Sequence, residues 1–113
     1  IIDEKTLCIF VSQSGETADI YKQIENAYRN RIATILITGN PNSSIAKIST
    51  VVLGTLSEEF SILTDALNSR ISQFCLIDAL FSMISIKDAN RMIPCLQETR
   101  NTFKKYKIEQ NNL

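Results

Sequence analysis

The sequence predicts an α/β fold built on a parallel sheet. Three observations carry that expectation. Strand-like and helix-like segments alternate along the 113 residues, the order that gives βαβ units with right-handed crossovers. The run Leu7-Cys8-Ile9-Phe10-Val11 is apolar at every position, as in a parallel strand buried on both faces. A hydroxyl-rich turn follows it at once, and then come apolar residues at helical spacing.

The elements are expected in this order. A strand covers 7–11. Ile20, Tyr21, Ile24, Ala27 and Tyr28 form the i, i+3, i+4 stripe of an amphipathic helix over 17–30. Ala33–Thr38 is a second strand, rich in β-branched residues, and Gly39-Asn40-Pro41-Asn42 is a strong turn signal. Ser44–Lys47 is a short helix at most. Thr50–Leu53 is a third strand, closed by Gly54, and Leu56–Phe60 is an acidic loop. A long helix spans 62–85. Its second half is apolar nearly all round, so it should be buried against more than one neighbour. A last helix spans 90–106. Pro94 should stand in its first turn or kink it, because proline has no N–H for the i−4 carbonyl. The polar tail Lys107–Leu113 is expected to fray.

The length allows one domain, 1–113, with a modest core. Twelve basic residues balance twelve acidic ones, which argues against a dedicated nucleic-acid surface. Arg100, Lys104, Lys105 and Lys107 read instead as a solvated helix end, where cations are favourable. Cys8, Cys75 and Cys95 are odd in number, lack metal-ligand spacing and lie in apolar contexts; buried thiols are expected. There is no histidine, so the commonest metal ligand and general base is missing. Neither a metal nor a cofactor is expected. No signal peptide is visible, and the apolar runs fall short of the ~20 residues of a membrane helix.

The turn carries the chemistry. The first amides of a helix have no internal acceptor, and the helix dipole adds positive potential, so the start of this helix can hold an anion. Ser12, Gln13, Ser14 and Thr17 add side-chain donors, and Gly15 permits a tight turn or close approach to a ligand. The same residues also make a good capping sequence, with Ser14 as N-cap and Glu16 or Thr17 in the first turn. It is neither a Walker A loop nor a dinucleotide-binding fingerprint.

The motif Ser12-Gln13-Ser14-Gly15-Glu16-Thr17 resembles the phosphosugar-binding loop of the SIS (sugar isomerase) domain. The segment from Asn68 to Phe81, NSRISQFCLIDALF, resembles one typical of the RpiR-type bacterial transcription regulators, in which an SIS domain follows a helix-turn-helix domain. Thr38–Ala46 resembles the family's third-loop pattern. The resemblance runs from about Lys5 to Tyr106. It implies a flavodoxin-like sandwich around a parallel sheet, here expected without its first strands: the family's opening strand, Gly/Ser-rich loop, helix and second strand have no counterpart in the sequence. Leu7–Val11 then becomes an open apolar edge, a kind of edge that recruits other chains. The resemblance also implies a sugar phosphate ligand, cradled by Ser12, Gln13, Ser14, Gly15 and Thr17. It further implies a cytoplasmic setting, a homo-oligomer, no membrane, and DNA contact only through an absent helix-turn-helix domain.

Three functions compete. A non-catalytic ligand-sensing module of such a regulator leads. A sugar-phosphate isomerase, or the isomerase half of an aminosugar synthase, needs a general base; Glu16, Glu58 and Glu59 are the plausible carboxylates near the expected strand C-terminal ends, with Glu16 also suited to the helix start and Glu58 and Glu59 to a solvated loop. A bare oligomerisation module is suggested by Arg70 and Asp78, which interrupt an apolar helix. Each charge has either a partner within the fold, such as Asp65 or a helix end, or a place at a subunit interface.

Overall fold

The computed structural model describes residues 3, 5–55 and 62–110, with side chains 62–66 and 108–110 excepted. Three strands, β1 (Leu7–Val11), β2 (Ala33–Thr38) and β3 (Val51–Gly54), alternate with α1 (Ala18–Arg29) and α2 (Ser44–Ile48); α3 (Ile62–Lys87) and α4 (Ala89–Gln110) follow. The strands pair in the order β1-β2-β3, parallel throughout, with Phe10 opposite Leu36 and Leu36 opposite Val52. Element types and order match the expectation from apolar periodicity. The loop expected at Leu56–Phe60 lies outside the described residues.

The described chain divides into two compact units, Ile1–Leu76 and Ile77–Leu113. In the first, alternation along the strands sends Phe10, Leu36 and Val52 to one face. There they meet Ile20 and Ile24 of α1 and Ile45, Ala46 and Ile48 of α2; Ile24, Leu36 and Ile45 are wholly buried. The helices are there because their apolar stripes have this face to cover. Hydroxyls fix the opening of β3: the Thr34 N–H donates to Thr50 Oγ1 and the Thr50 N–H to Thr34 Oγ1, each at 3.0 Å.

α1 ends in a Schellman turn. Ile32 N–H reaches the Ala27 carbonyl at 2.9 Å and Arg31 N–H the Tyr28 carbonyl at 3.1 Å. Arg31 adopts φ of 57°, the left-handed conformation usually given to glycine at this place.

Several expectations are corrected. β1 is not buried on both faces. It is the edge of the described sheet, the open apolar edge that the resemblance implied, and Leu7, Ile9 and Val11 on its second face are 49, 49 and 37% exposed. Its composition suits a central strand, but no described element covers that face. The second half of α3 is likewise open: Phe81, Met83, Ile84 and Ile86 are exposed. All-round apolarity marks a helix that needs neighbours, and these side chains stand uncovered among the described residues. Cys75 and Cys95 are free and exposed, and Cys8 is half-buried, because their apolar neighbours are themselves uncovered.

In the second unit Asp88 alone separates α3 from α4. Its N–H bonds to the Ile84 carbonyl at 3.1 Å, and its carbonyl accepts the N–H groups of Arg91 and Met92 at 3.1 and 3.0 Å. Pro94 therefore falls in the second turn of α4, not the first, and the helix continues through it. α4 also reaches Gln110, past the expected start of fraying at Lys107; residues 111–113 lie outside the described ones. Arg70 and Asp78 are exposed, and the side chain of Asp65, the suggested partner of Arg70, is not among those described.

The helical stretch Leu67–Lys87, 21 residues long, does satisfy the length and composition of a membrane span, contrary to the reading of apolar runs. Arg70, Asp78 and polar Ser and Gln residues break the runs, so the property shows only when averaged over the helix.

Candidate functional site

The residues picked from sequence lie together at the C-terminal ends of the parallel strands. In open α/β sheets this is where ligands bind. Three segments meet there: the β1–α1 turn (12–17), the β2–α2 turn (39–43) and Thr55 just after β3.

Ser12 is the buried root of the first turn. Its N–H donates to the Ile37 carbonyl at 3.0 Å, which extends the β1–β2 pairing by one residue. Its hydroxyl lies 2.9 Å from Thr17 Oγ1 and accepts the Gly15 N–H at 3.2 Å. Ser12 thus closes the turn on itself. Gly15 is buried with φ of 67°, and a Cβ there would collide with the Ser43 side chain and stand 3.2 Å from Thr38 Oγ1. Only glycine fits between the two turns at this point. The Gly15 carbonyl in turn accepts the Ile45 N–H at 3.2 Å.

Gln13 joins all three segments. Its carbonyl accepts the Gly39 N–H at 3.0 Å and the Thr38 hydroxyl at 3.3 Å. Its side-chain Oε1 accepts from Gln73 Nε2 of α3 at 2.9 Å and lies 3.5 Å from the Thr55 hydroxyl. A Cβ on Gly39 would strike the Gln13 amide, so that glycine gives the side chain its room.

Ser14 is exposed, and its Oγ accepts the Glu16 N–H at 3.2 Å. It is not the cap of α1. Thr17 stands at the N-cap position with φ −69° and ψ 115°, and its side chain makes no capping hydrogen bond. Its hydroxyl faces Ser12 instead. The first turn of α1 therefore has no side-chain cap, although the acidic Asp19 lies within it. The amides of Gly15 and Glu16, by contrast, are already used inside the turn.

Glu16 serves a helix start, but not that of its own helix. Its Oε1 accepts the Ser44 N–H, the first of α2, at 2.8 Å. The Ser44 backbone N–H and then its side chain hold the carboxyl below the ordinary glutamate range. Desolvation opposes them, and the Lys47 charge adds to them. Ser43 caps the same helix by accepting the Ala46 N–H at 3.2 Å.

Sequence reasoning brought Ser12, Gln13, Ser14, Gly15 and Thr17 to one place, and the structure puts them there. It missed Thr38, Ser43, Thr55 and Gln73 as members of the site. Thr38 ends an apolar strand and Thr55 follows one, as Ser12 does, and hydroxyls at strand ends were the available signal. Nothing local marks Gln73. Cavities among the described residues also lie away from this site. One of about 520 Å3 sits against Tyr28, Arg31 and Thr50 at the other end of the strands, and one of about 360 Å3 sits beside Cys8, Phe10 and Asn26. Among the described residues no three His, Cys, Asp or Glu side chains gather as a metal site.

Comparison with known proteins agrees with this geometry. The SIS domain family matches residues 1–83. An uncharacterized HTH-type transcriptional regulator of Thermotoga maritima is 35% identical over 94 residues, 83% of this chain and 33% of that one. The HTH-type transcriptional regulator RpiR of Escherichia coli K12 is 30% identical over 93 residues, 80% of this chain and 31% of that one. A glutamine–fructose-6-phosphate aminotransferase (isomerizing) of Bradyrhizobium diazoefficiens is 43% identical over 51 residues, which is 45% of this chain but 8% of the enzyme. The chain thus spans about a third of the length of the regulators it matches. A crystal structure of a hypothetical protein superposes with a TM-score of 0.66 at 22% identity, covering 77% of this chain and 50% of the other; that likeness speaks for the fold. With most of its length matched by the family, and with the family's loop at the ends of a parallel sheet, the chain belongs to the SIS domain family.

Proposed function

We propose that this chain is the ligand-sensing SIS unit of an RpiR-like bacterial transcription regulator. It binds a phosphorylated sugar or a related metabolite and does no chemistry on it. The observation that carries the reading is the start of α1. Thr17 heads a helix of twelve residues with no side-chain cap, beside the exposed hydroxyl of Ser14, at the strand ends where α/β sheets take ligands. Ser12, Gln13 and Gly15 hold the turn in shape with the Thr17 hydroxyl bonded to Ser12, and the exposed Ser14 hydroxyl and the uncapped first amides of α1 take the phosphate.

The enzymatic reading lacks a base. The chain has no histidine, and the Glu16 carboxylate is occupied by the Ser44 amide. Glu58 and Glu59 lie outside the described residues. The similar regulators support the sensing role over the isomerase one. DNA contact belongs to a helix-turn-helix domain of the longer protein, and the setting is the cytoplasm, where such regulators meet DNA. The apolar stretch Leu67–Lys87 is a helix of the domain, since the family match runs to residue 83. The uncovered apolar side chains of β1 and α3 fit a homo-oligomer.

The test is calorimetric titration of the complete protein with hexose phosphates, and with the same hexoses lacking phosphate. Binding that requires the phosphate supports the reading. Turnover between aldose and ketose phosphates in an enzyme-free preparation overturns its non-catalytic part.

A further inference from the structure

We infer that one face of α4, the stripe formed by Arg100, Lys104 and Lys107, is a contact surface for the phosphate backbone of DNA. The inference rests on the regulator reading only for the presence of DNA. It adds to the contact of the helix-turn-helix domain, since base contacts specify whereas phosphate contacts supply affinity and position.

The balanced charge of the whole chain hides a division. Ile1–Leu76 holds six basic and eight acidic residues, and Ile77–Leu113 holds six basic and four acidic ones. Within the second unit, residues 100–107 carry four cations and no carboxylate.

Helical spacing puts three of these cations together. Positions i, i+4 and i+7 lie on one side of a helix, so Arg100, Lys104 and Lys107 form a stripe about 10 Å long. All three are exposed. No acidic residue stands three or four positions from any of them, so α4 offers them no ion pair along the helix. They are instead neighbours of one another, and like charges at these spacings destabilise a helix. The helix dipole does not account for them either. α4 runs on to Gln110, so Arg100 and Lys104 lie more than one turn before its end, and the favourable field fades within the last turn. A row of cations that the helix does not neutralise is matched by an anion that presents its charges in a row, as a nucleic-acid strand does.

The opposite side of α4 decides between DNA and an anionic membrane. Glu98, Thr102 and Lys105 lie there, where a helix resting on a membrane needs an apolar face. The similarity to HTH-type regulators makes duplex DNA the polyanion at hand.

Fluorescence anisotropy of the complete protein on a mixed-sequence duplex of about 30 base pairs, over a range of salt concentrations, tests this. Lys104→Gln/Lys107→Gln should lower the steepness of log K against log salt by about two, since each phosphate contact contributes about 0.9. Binding should weaken about tenfold or more at low salt and approach the wild type at high salt. Lys5→Gln/Lys22→Gln removes the same charge from exposed positions of the first unit and should keep the wild-type slope. A slope unchanged in the α4 variant, or lowered equally in both variants, overturns the contact. The α4 variant should melt at or above the wild-type temperature, because like-charge repulsion is removed; a lower melting temperature gives the two cations a place in the fold and overturns the inference. Lost binding to phosphatidylserine vesicles with DNA binding intact assigns the stripe to a membrane and overturns it too. If the wild type holds no DNA, the regulator reading falls and this inference falls with it. A wild type that binds DNA beside a variant of unchanged slope removes the α4 contact alone.

Discussion

Glu16 Oε1 accepts the Ser44 N–H at 2.8 Å, so the turn before α1 is fastened to the start of α2 by a carboxylate. The bond crosses twenty-eight positions of sequence and joins two of the three loops of the site. It also gives the glutamate a duty that is not catalytic.

That bond predicts a pH dependence. The folded-state pKa of Glu16 is lowered, chiefly by the Ser44 amide, so its contribution to stability is present above the ordinary glutamate value of about 4.3 and is lost as pH falls through the lowered folded value. Glu16→Gln should be less stable than wild type near neutrality, with the gap narrowing as pH drops below 4. Thermal melts across pH 3–7 check this; a gap that is constant with pH contradicts it.

Gly15 should not tolerate a side chain. Gly15→Ala adds strain at φ of 67° and drives its Cβ into Ser43. A loss of roughly 2–4 kcal/mol is expected from left-handed strain plus overpacking. Denaturant unfolding measures it, and a loss below about 1 kcal/mol would show that the two turns separate more readily than the contact implies.

Arg31→Gly should act the other way. The residue sits at the left-handed position of the Schellman turn with φ of 57°. Relief of that strain should stabilise the domain by about 0.5–1 kcal/mol, less than the full strain because glycine also loosens the unfolded chain. A melting temperature unchanged or lowered counts against the turn as described.

Much of this fold was legible in local pattern. The five residues of β1 and the six of β2 were read with their bounds, because an uninterrupted apolar or β-branched run between turn signals has few other solutions. The parallel order followed from alternation with helices. Partnership was not legible in composition, although the family resemblance implied the open edge of β1. Leu7–Val11 has the composition of a central strand yet forms the described edge, and α3 has the composition of a buried helix yet is open. Composition records what a segment needs, and the neighbours that meet the need lie outside local sequence. The site divides in the same way. Ser12–Thr17 is a contiguous motif and could be read. Gln73 joins it from sixty residues away, and Glu16 reaches α2, through tertiary geometry alone.

The uncovered apolar side chains predict association. Sedimentation of the complete protein at micromolar concentration should show a dimer or larger species. Phe74→Glu or Phe81→Glu, both at exposed positions, should shift it toward monomer. A wild-type monomer at that concentration contradicts the homo-oligomeric reading.

The most direct test of the central claim compares Ser14→Ala with wild type in calorimetric titration of the complete protein with hexose phosphates, alongside thermal unfolding of both. Ser14 is exposed and accepts one hydrogen bond, from Glu16, so its loss should cost the fold no more than about 1 kcal/mol. If its hydroxyl donates to a phosphate, affinity should fall by roughly 1–3 kcal/mol, the range for a hydrogen bond to a charged group. Weaker binding with near-native stability is the predicted result. Sugar-phosphate affinity unchanged in Ser14→Ala, or binding indifferent to the phosphate, contradicts the account.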